Sequence, residues 1–384
     1  PNADQSVQQH ATSYIVEMSV ALARDPETAF DDASSQISRL RVSSGGQRNG
    51  RLAQSFIVAS QAQTLLGNDS QANALLNQAS ATAPIGPAGQ AIRAYILMAR
   101  GKQALQDGRQ ADALLLYRRA QAEFIAAHDV RGQAIALQVL GRMFTDIGDE
   151  ENSIRYLNLA SETFSGEDLF KLNLENNLGV ARQNAFHHEE AIPHFLAALT
   201  LAKRLQIDSR TRVIQTNLAL SHLWLENLPE ASQVLADIGA PSRQPSGYLQ
   251  AETYRLNALL AFREGRLRPA LALIQHALKD VDPKSSPNNF RLVHYTAYEI
   301  YRALGEREPA LVQLEAVRRI DESAARELAT NRAAVLGAQF QFAAQNERIE
   351  RMKAERLARE VRFQRMMTWT IAAAAGVLLA LLGW

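Results

Sequence analysis

The stretch 134-AIALQVLGRMFTDIGDEENSIRYLNLA-160 decides the fold. Ser153, Leu157 and Ala160 stand at offsets 0, 4 and 7, which is one face of a helix. Gly148, five positions before Ser153, is placed to close one helix and turn into the next. Gly141, twelve positions before Ser153, puts a small residue on the first helix opposite the small one on the second, so the two backbones can approach closely. The stretch reads as a helical hairpin.

Outward from Ser153 the same anchor recurs at Ala72, Ala113, Ala191, Ala231, Ala270 and Ala310, with successive gaps of 41, 40, 38, 40, 39 and 40 residues along the whole series. Four positions after each anchor comes Leu76, Tyr117, Leu157, Phe195, Leu235, Ile274 or Leu314. Seven after it, alanine fills five of seven copies, with Ile238 and Val317 in the others. Gly67, Gly108, Gly148, Gly265 and Gly305 hold the turn position, where Phe186 and Glu226 are the exceptions. The small residue before the turn is Ser60, Gly101, Gly141, Gly179, Ala219 or Ala258, with Tyr298 as the outlier. Pro84, Pro241 and Pro283 follow second helices, where no amide donor is needed. No sustained β-branched alternation appears, so the body is expected to be all-α.

The pattern Leu140-Gly141, Gly148, Ser153, Leu157, Ala160, echoed at Leu178-Gly179, Ala191, Phe195 and Ala198, resembles the tetratricopeptide repeat across roughly residues 50–318. The resemblance implies a right-handed superhelical solenoid of seven to eight hairpins, with a pitch near 40 residues instead of the family's 34. Residues 1–41 read as a degenerate hairpin, broken at Asp25-Pro26, that caps the open end. Ser43-Ser44-Gly45-Gly46 reads as a flexible link.

Composition excludes several classes. The chain has 384 residues, with 41 Lys and Arg against 40 Asp and Glu and 47% apolar residues. So small an imbalance gives no global basic field for nucleic acid. With no cysteine there is no disulfide, thiolate nucleophile or cysteine-bound metal. Gly45 to Arg51 reads G-G-Q-R-N-G-R, but Arg51 stands where a phosphate loop requires lysine. His187, His188, Glu190 and His194 lack the HExxH spacing, and the turn and Pro193 intervene, so neither metal nor cofactor is expected. No serine elbow and no other catalytic constellation is found.

After Ile320 the hairpin punctuation stops. Leu328, Val335, Phe342 and Ile349 are seven apart, which favours one long charged helix over 319–365 able to pair with a second copy through 321–365. Asn331, Ala338, Gln345 and Met352 are too polar for a strong seam. Residues 366–384 carry no charge and, at roughly 28 Å as a helix, match a bilayer, with Trp369 and Trp384 near the two ends. A single membrane-spanning helix is expected there.

An array, a charged helix and one span together resemble the periplasmic sensor regions of bacterial signalling proteins. That resemblance implies an inner-membrane location with the array in the periplasm, and a diguanylate cyclase or histidine kinase output beyond Trp384. The excess of positive charge just before the span favours a cytoplasmic side, which leaves a tail-anchored alternative. A start at Pro1 and an end inside an apolar run suggest a piece of a longer product.

With no chemistry to place, function falls to surface. In stacked hairpins the first helices line the concave side. By register with the family, a peptide groove is expected at Gln138, Arg142, Asn173, Asn176, Gln183, Thr216 and Arg255. Amides can hold a peptide backbone because each both donates and accepts, and Asn177 and Asn217 stand where the family often has asparagine. Solvation of the groove, or stitching of neighbouring helices, is the alternative for these amides. A sensor that binds a protein or peptide and a constitutive tethered scaffold are the two readings; an enzyme within these residues has no anchor.

Overall fold

The computed structural model describes residues 13–43, 48–241 and 247–382. Among them every regular element is a helix. An amino-terminal hairpin, α1 (Ser13–Arg24) and α2 (Pro26–Val42), precedes seven pairs. The first helices are α3 (Arg48–Leu65), α5 (Gln90–Gln106), α7 (Val130–Asp146), α9 (Asp168–Asn184), α11 (Asp208–Trp224), α13 (Tyr248–Arg263) and α15 (Arg291–Ala303). Their partners are α4 (Asp69–Thr82), α6 (Gln110–Ala126), α8 (Glu150–Thr163), α10 (His188–Arg204), α12 (Leu228–Ile238), α14 (Leu267–Ala277) and α16 (Arg307–Leu382).

All seven turns within a pair share one geometry. The residue five before the anchor is left-handed in each, at φ between 71° and 79° for the five glycines, 65° for Phe186 and 60° for Glu226. The next amide then reaches back five residues, as from Asp149 N to Phe144 O and from His187 N to Arg182 O, both at 2.9 Å. This is a Schellman closure, and only glycine adopts it without strain.

The early glycines serve close approach. A Cβ at Gly141 would stand 2.8 Å from Leu157, and one at Gly179 would stand 2.6 Å from the Phe195 ring. The large residue four after the anchor therefore fills the space over the glycine. Leu157 and Phe195 are fully buried, and burial of each contributes about 1.5–3 kcal/mol.

Successive first helices pack against one another from α3 to α15, whereas successive second helices do not approach comparably. The first helices thus form the shorter, inner wall, and the array curves around it. The α1–α2 break is an N-cap: Asp25 accepts from Glu27 N and Thr28 N with Pro26 in the first turn. Helix α2 packs on α3, but α1 reaches much further along the array. Tyr14 N donates to Gln54 Oε1 at 3.0 Å, Ser19 Oγ to Glu167 Oε1 at 3.3 Å, and Arg24 Nε to Leu205 O at 2.6 Å. Val20 and Ala23 pack on the cluster around Leu172, Phe195 and Ile214. The apolar side of α1 finds its cover there. Residues 1–12 and most of the link, Ser44 to Gly46, lie outside the described residues. Arg48 of the glycine-rich stretch donates to Leu40 O at 2.7 Å and to Arg41 O at 2.9 Å, which caps α2.

The seventh pair's second helix continues without a break at 319 or 366, up to Leu382. It is docked by His294, which bridges Gln313 and Ser286, and by Arg319 on Ser286 O at 2.7 Å. The chain divides into two compact units, one up to Arg332 and one from Ala333. Of the expected seam, Leu328 is exposed and Val335 buried; the side chains of Phe342 and Ile349 lie outside the described residues.

One expectation is overturned. Among the described residues no helix is long and apolar enough to cross a membrane. The last helix keeps arginines at 351, 362 and 365, and the side chains of 368–384, on which the span depended, lie outside the described residues. The inner-membrane location, with its periplasmic array or its tail-anchored cytoplasmic alternative, is withdrawn.

Candidate functional site

The inner wall sorts the seven groove positions by what their polar atoms already hold. Gln138 is buried and donates to Phe170 O at 3.3 Å, from α7 to α9. Gln183 donates at 2.8 Å to both Asn217 O and Ser221 Oγ, from α9 to α11. Thr216 bonds within its own helix, to Arg212 O at 2.8 Å. Arg255 is fully buried and takes Glu252 in a bidentate pair, with Nε to Oε2 at 2.7 Å. These four stitch helices together or satisfy their own turn.

The other three positions make no side-chain hydrogen bond among the described residues. Asn173 and Asn176 are half-buried and Arg142 is exposed. The Asn176 Oδ1 atom is enclosed and has no hydrogen-bond partner among the described residues. Gln103 Nε2 on α5 and Arg212 Nε on α11 are in the same condition. Buried polar atoms are ordinarily satisfied; His222 Nδ1 on α11 is a fourth such atom on a first helix, and others lie away from the wall, on His188 and Arg319.

Charge concentrates on the same wall. Lys102 on α5, Arg142 on α7 and Arg210 on α11 make no hydrogen bond or ion pair among the described residues. Burial pushes the Lys102 ammonium below its usual value, and Arg210 and Arg142 push the same way. Arg210 is exposed as a residue, and its guanidinium is lowered by the desolvation of its charged end and by Arg142. Side chains of the second, third and fifth pairs feel one another because the wall curves. Asp146 is the acid coupled to this group; the residue is exposed, partial desolvation raises its carboxyl, and Arg142 draws it back down. A carboxylate entering here would meet cations that no resident acid fully offsets. Sequence reading singled out Arg142 alone. Lys102 occupies the same register, directly after the small residue that precedes the turn, a repeated cation that could have been noticed; Arg210 carries no such signal.

The four residues of the histidine segment face different partners. His187 Nδ1 meets Glu150 at 3.2 Å, His194 Nδ1 meets Glu175 at 2.7 Å, and Glu190 pairs with Arg182 at 3.3 Å. His188 is buried and stacked on Trp224. Among the described residues no group of three His, Cys, Asp or Glu could hold a metal.

No family model matches the chain, and no curated protein matches it in sequence. Solved structures match it in fold. A Rap protein complexed with Competence and Sporulation Factor is 13% identical with a TM-score of 0.57, over 84% of this chain and 99% of that one. The apo form of RapI is 13% identical with a TM-score of 0.55, over 86% and 99%. The APC/C hetero-tetramer Cut9-Hcn1 is 16% identical with a TM-score of 0.52, over 71% of this chain and 46% of that one. At these identities the likeness is one of fold, an all-helical repeat of the tetratricopeptide kind. It lies with these proteins and lends nothing to the membrane-sensor resemblance.

Proposed function

We propose that this chain is a non-catalytic peptide-binding module whose inner wall takes an extended peptide through its carboxylate groups. The observation that carries this reading is the trio Lys102, Arg142 and Arg210, set on three first helices of the same wall and without a hydrogen bond or ion pair among the described residues. Like charges are gathered at a loss unless an anion joins them. Asn173 and Asn176 stand half-buried on the same wall, and an amide, which both donates and accepts, suits the backbone of a bound strand. The Rap structure, a complex with a factor, lends support from a protein of similar fold. Gln138, Gln183, Thr216 and Arg255 serve by holding neighbouring first helices in register.

The test is selection from an immobilised library of random hexapeptides with free carboxyl ends. Acid-bearing sequences should be enriched, and the Lys102→Ala/Arg210→Ala protein should bind them at least tenfold more weakly with an unchanged melt. Asn176→Ala should weaken the same peptides several-fold. Failure of the wild-type chain to enrich any peptide, or equal binding by the double variant, would overturn the reading.

A further inference from the structure

Two of the seven turns lack glycine, and they adjoin. Phe186 is held at φ 65° in a position where five other pairs use glycine, and it is 74% exposed. Left-handed backbone is unfavourable for a bulky aromatic residue, and an exposed ring recovers nothing in the core to offset it. Beside it, Trp224 ends α11 and is 50% exposed, with Leu225 following at 38%.

The rings are ordered. Trp224 lies parallel to the His188 imidazole, with centroids 5.4 Å apart and planes 9° apart. Phe186 stands edge-on to Trp224, at 6.2 Å and 79°, and to His188, at 6.4 Å and 77°. One face of the indole is therefore backed by the imidazole, and the upright Phe186, about as far from one ring as from the other, stands at the side of the stack. His188 is 7% exposed, and neither ring nitrogen has a hydrogen-bond partner among the described residues. Burial lowers its pKa, so it backs the indole as a neutral ring.

The rim is acidic. Residues 186–190 and 222–230 contain Glu189, Glu190, Glu226 and Glu230 and no lysine or arginine. Glu190 is held by Arg182, and Glu226 by Arg263 at 3.1 Å. Glu189 and Glu230 are exposed and form no ion pair among the described residues.

We infer that the turn edge of the fourth and fifth pairs is a second docking surface, separate from the inner wall, where a basic segment of a partner protein seats an arginine or lysine on Trp224 against Phe186, among Glu189, Glu226 and Glu230. A cation over an aromatic face is attracted by the ring quadrupole, most strongly for tryptophan, and the unpaired carboxylates add charge complementarity.

A fluorescein-labelled tetra-arginine peptide is the probe, read by anisotropy and by Trp fluorescence, with a labelled tetra-serine peptide, amidated at its carboxyl end, as control. Wild-type chain should bind tetra-arginine and ignore the neutral control. Phe186→Gly restores the residue the turn prefers, so it should melt at or above the wild-type temperature while binding at least tenfold more weakly. Glu189→Gln/Glu230→Gln should weaken binding several-fold, and Lys102→Ala/Arg210→Ala should leave it unchanged. No binding of tetra-arginine by the wild type, equal binding by Phe186→Gly, or equal uptake of the neutral control would each overturn the inference, whatever the fate of the inner-wall reading.

Discussion

The third and fourth pairs are built on one plan and finished differently. Both cross at a glycine under a large apolar residue, Gly141 under Leu157 and Gly179 under Phe195. Both turn through a left-handed residue closed by the same backbone bond. In the third pair that residue is Gly148, and the chain covers it with its own Arg332, whose Nε donates to Ile147 O at 2.7 Å. In the fourth it is Phe186, bare to water beside Trp224. The core of a pair thus serves the fold, while the rim of the turn is free to diverge.

The comparison can be broken first at its shared core. Gly141→Val and Gly179→Val should each destabilise by about 3 kcal/mol, since the added atoms meet a packed side chain with nowhere to move. Urea unfolding would measure both; a loss in one pair alone would show that the crossings are not equivalent. Next comes the cover on the third turn. Arg332→Ala should cost about 1–2 kcal/mol by leaving the carbonyls at the end of α7 without their guanidinium, and the same change at Arg182, beside the fourth turn, should cost less because its pairs are with exposed acids.

A smaller and opposite pair follows at the turn residue. Gly148→Phe should lose about 1 kcal/mol or more, from the left-handed backbone and from crowding against Arg332. Phe186→Gly should be neutral or gain up to about 1 kcal/mol. The smallest effect is in acid. Burial sets His188, His222 and His294 below the usual 6.5, so the unfolded chain takes up these protons first. Stability should hold above about pH 6.5 and fall as pH drops below it toward the folded values. His188→Phe keeps a ring on Trp224 and should flatten part of that fall in melts recorded between pH 7 and 5.

The pairs were legible in sequence because everything that makes one lies within about forty residues. The glycines at 101, 141 and 179, the anchors and the turns all stand where the period puts them. What escaped depends on how successive pairs rotate against one another. Lys102 and Arg210 are 108 residues apart in the chain, and only the packing of successive pairs brings the charge of Arg210 to bear on Lys102. Gln183 reads as a free amide until α11 is seen to supply Asn217 O and Ser221 Oγ. Phe186 and Glu226 were visible as exceptions at the glycine position, but the period cannot say that the backbone stays left-handed or that Phe186 stands beside Trp224. The apolar run at 366–384 was read by length and composition alone, without what surrounds it.

Arrays of hairpins commonly unravel piecemeal, each unit leaning only on its neighbours. Helix α1 alters that here. By bonding to Gln54, Glu167 and Leu205 it ties the first pair to the turn between the fourth and fifth, a closure spanning up to 181 residues. Release of that tie requires the intervening pairs to let go together, so denaturation over the amino-terminal half should be cooperative and refolding slow, as contacts so distant in the chain form late.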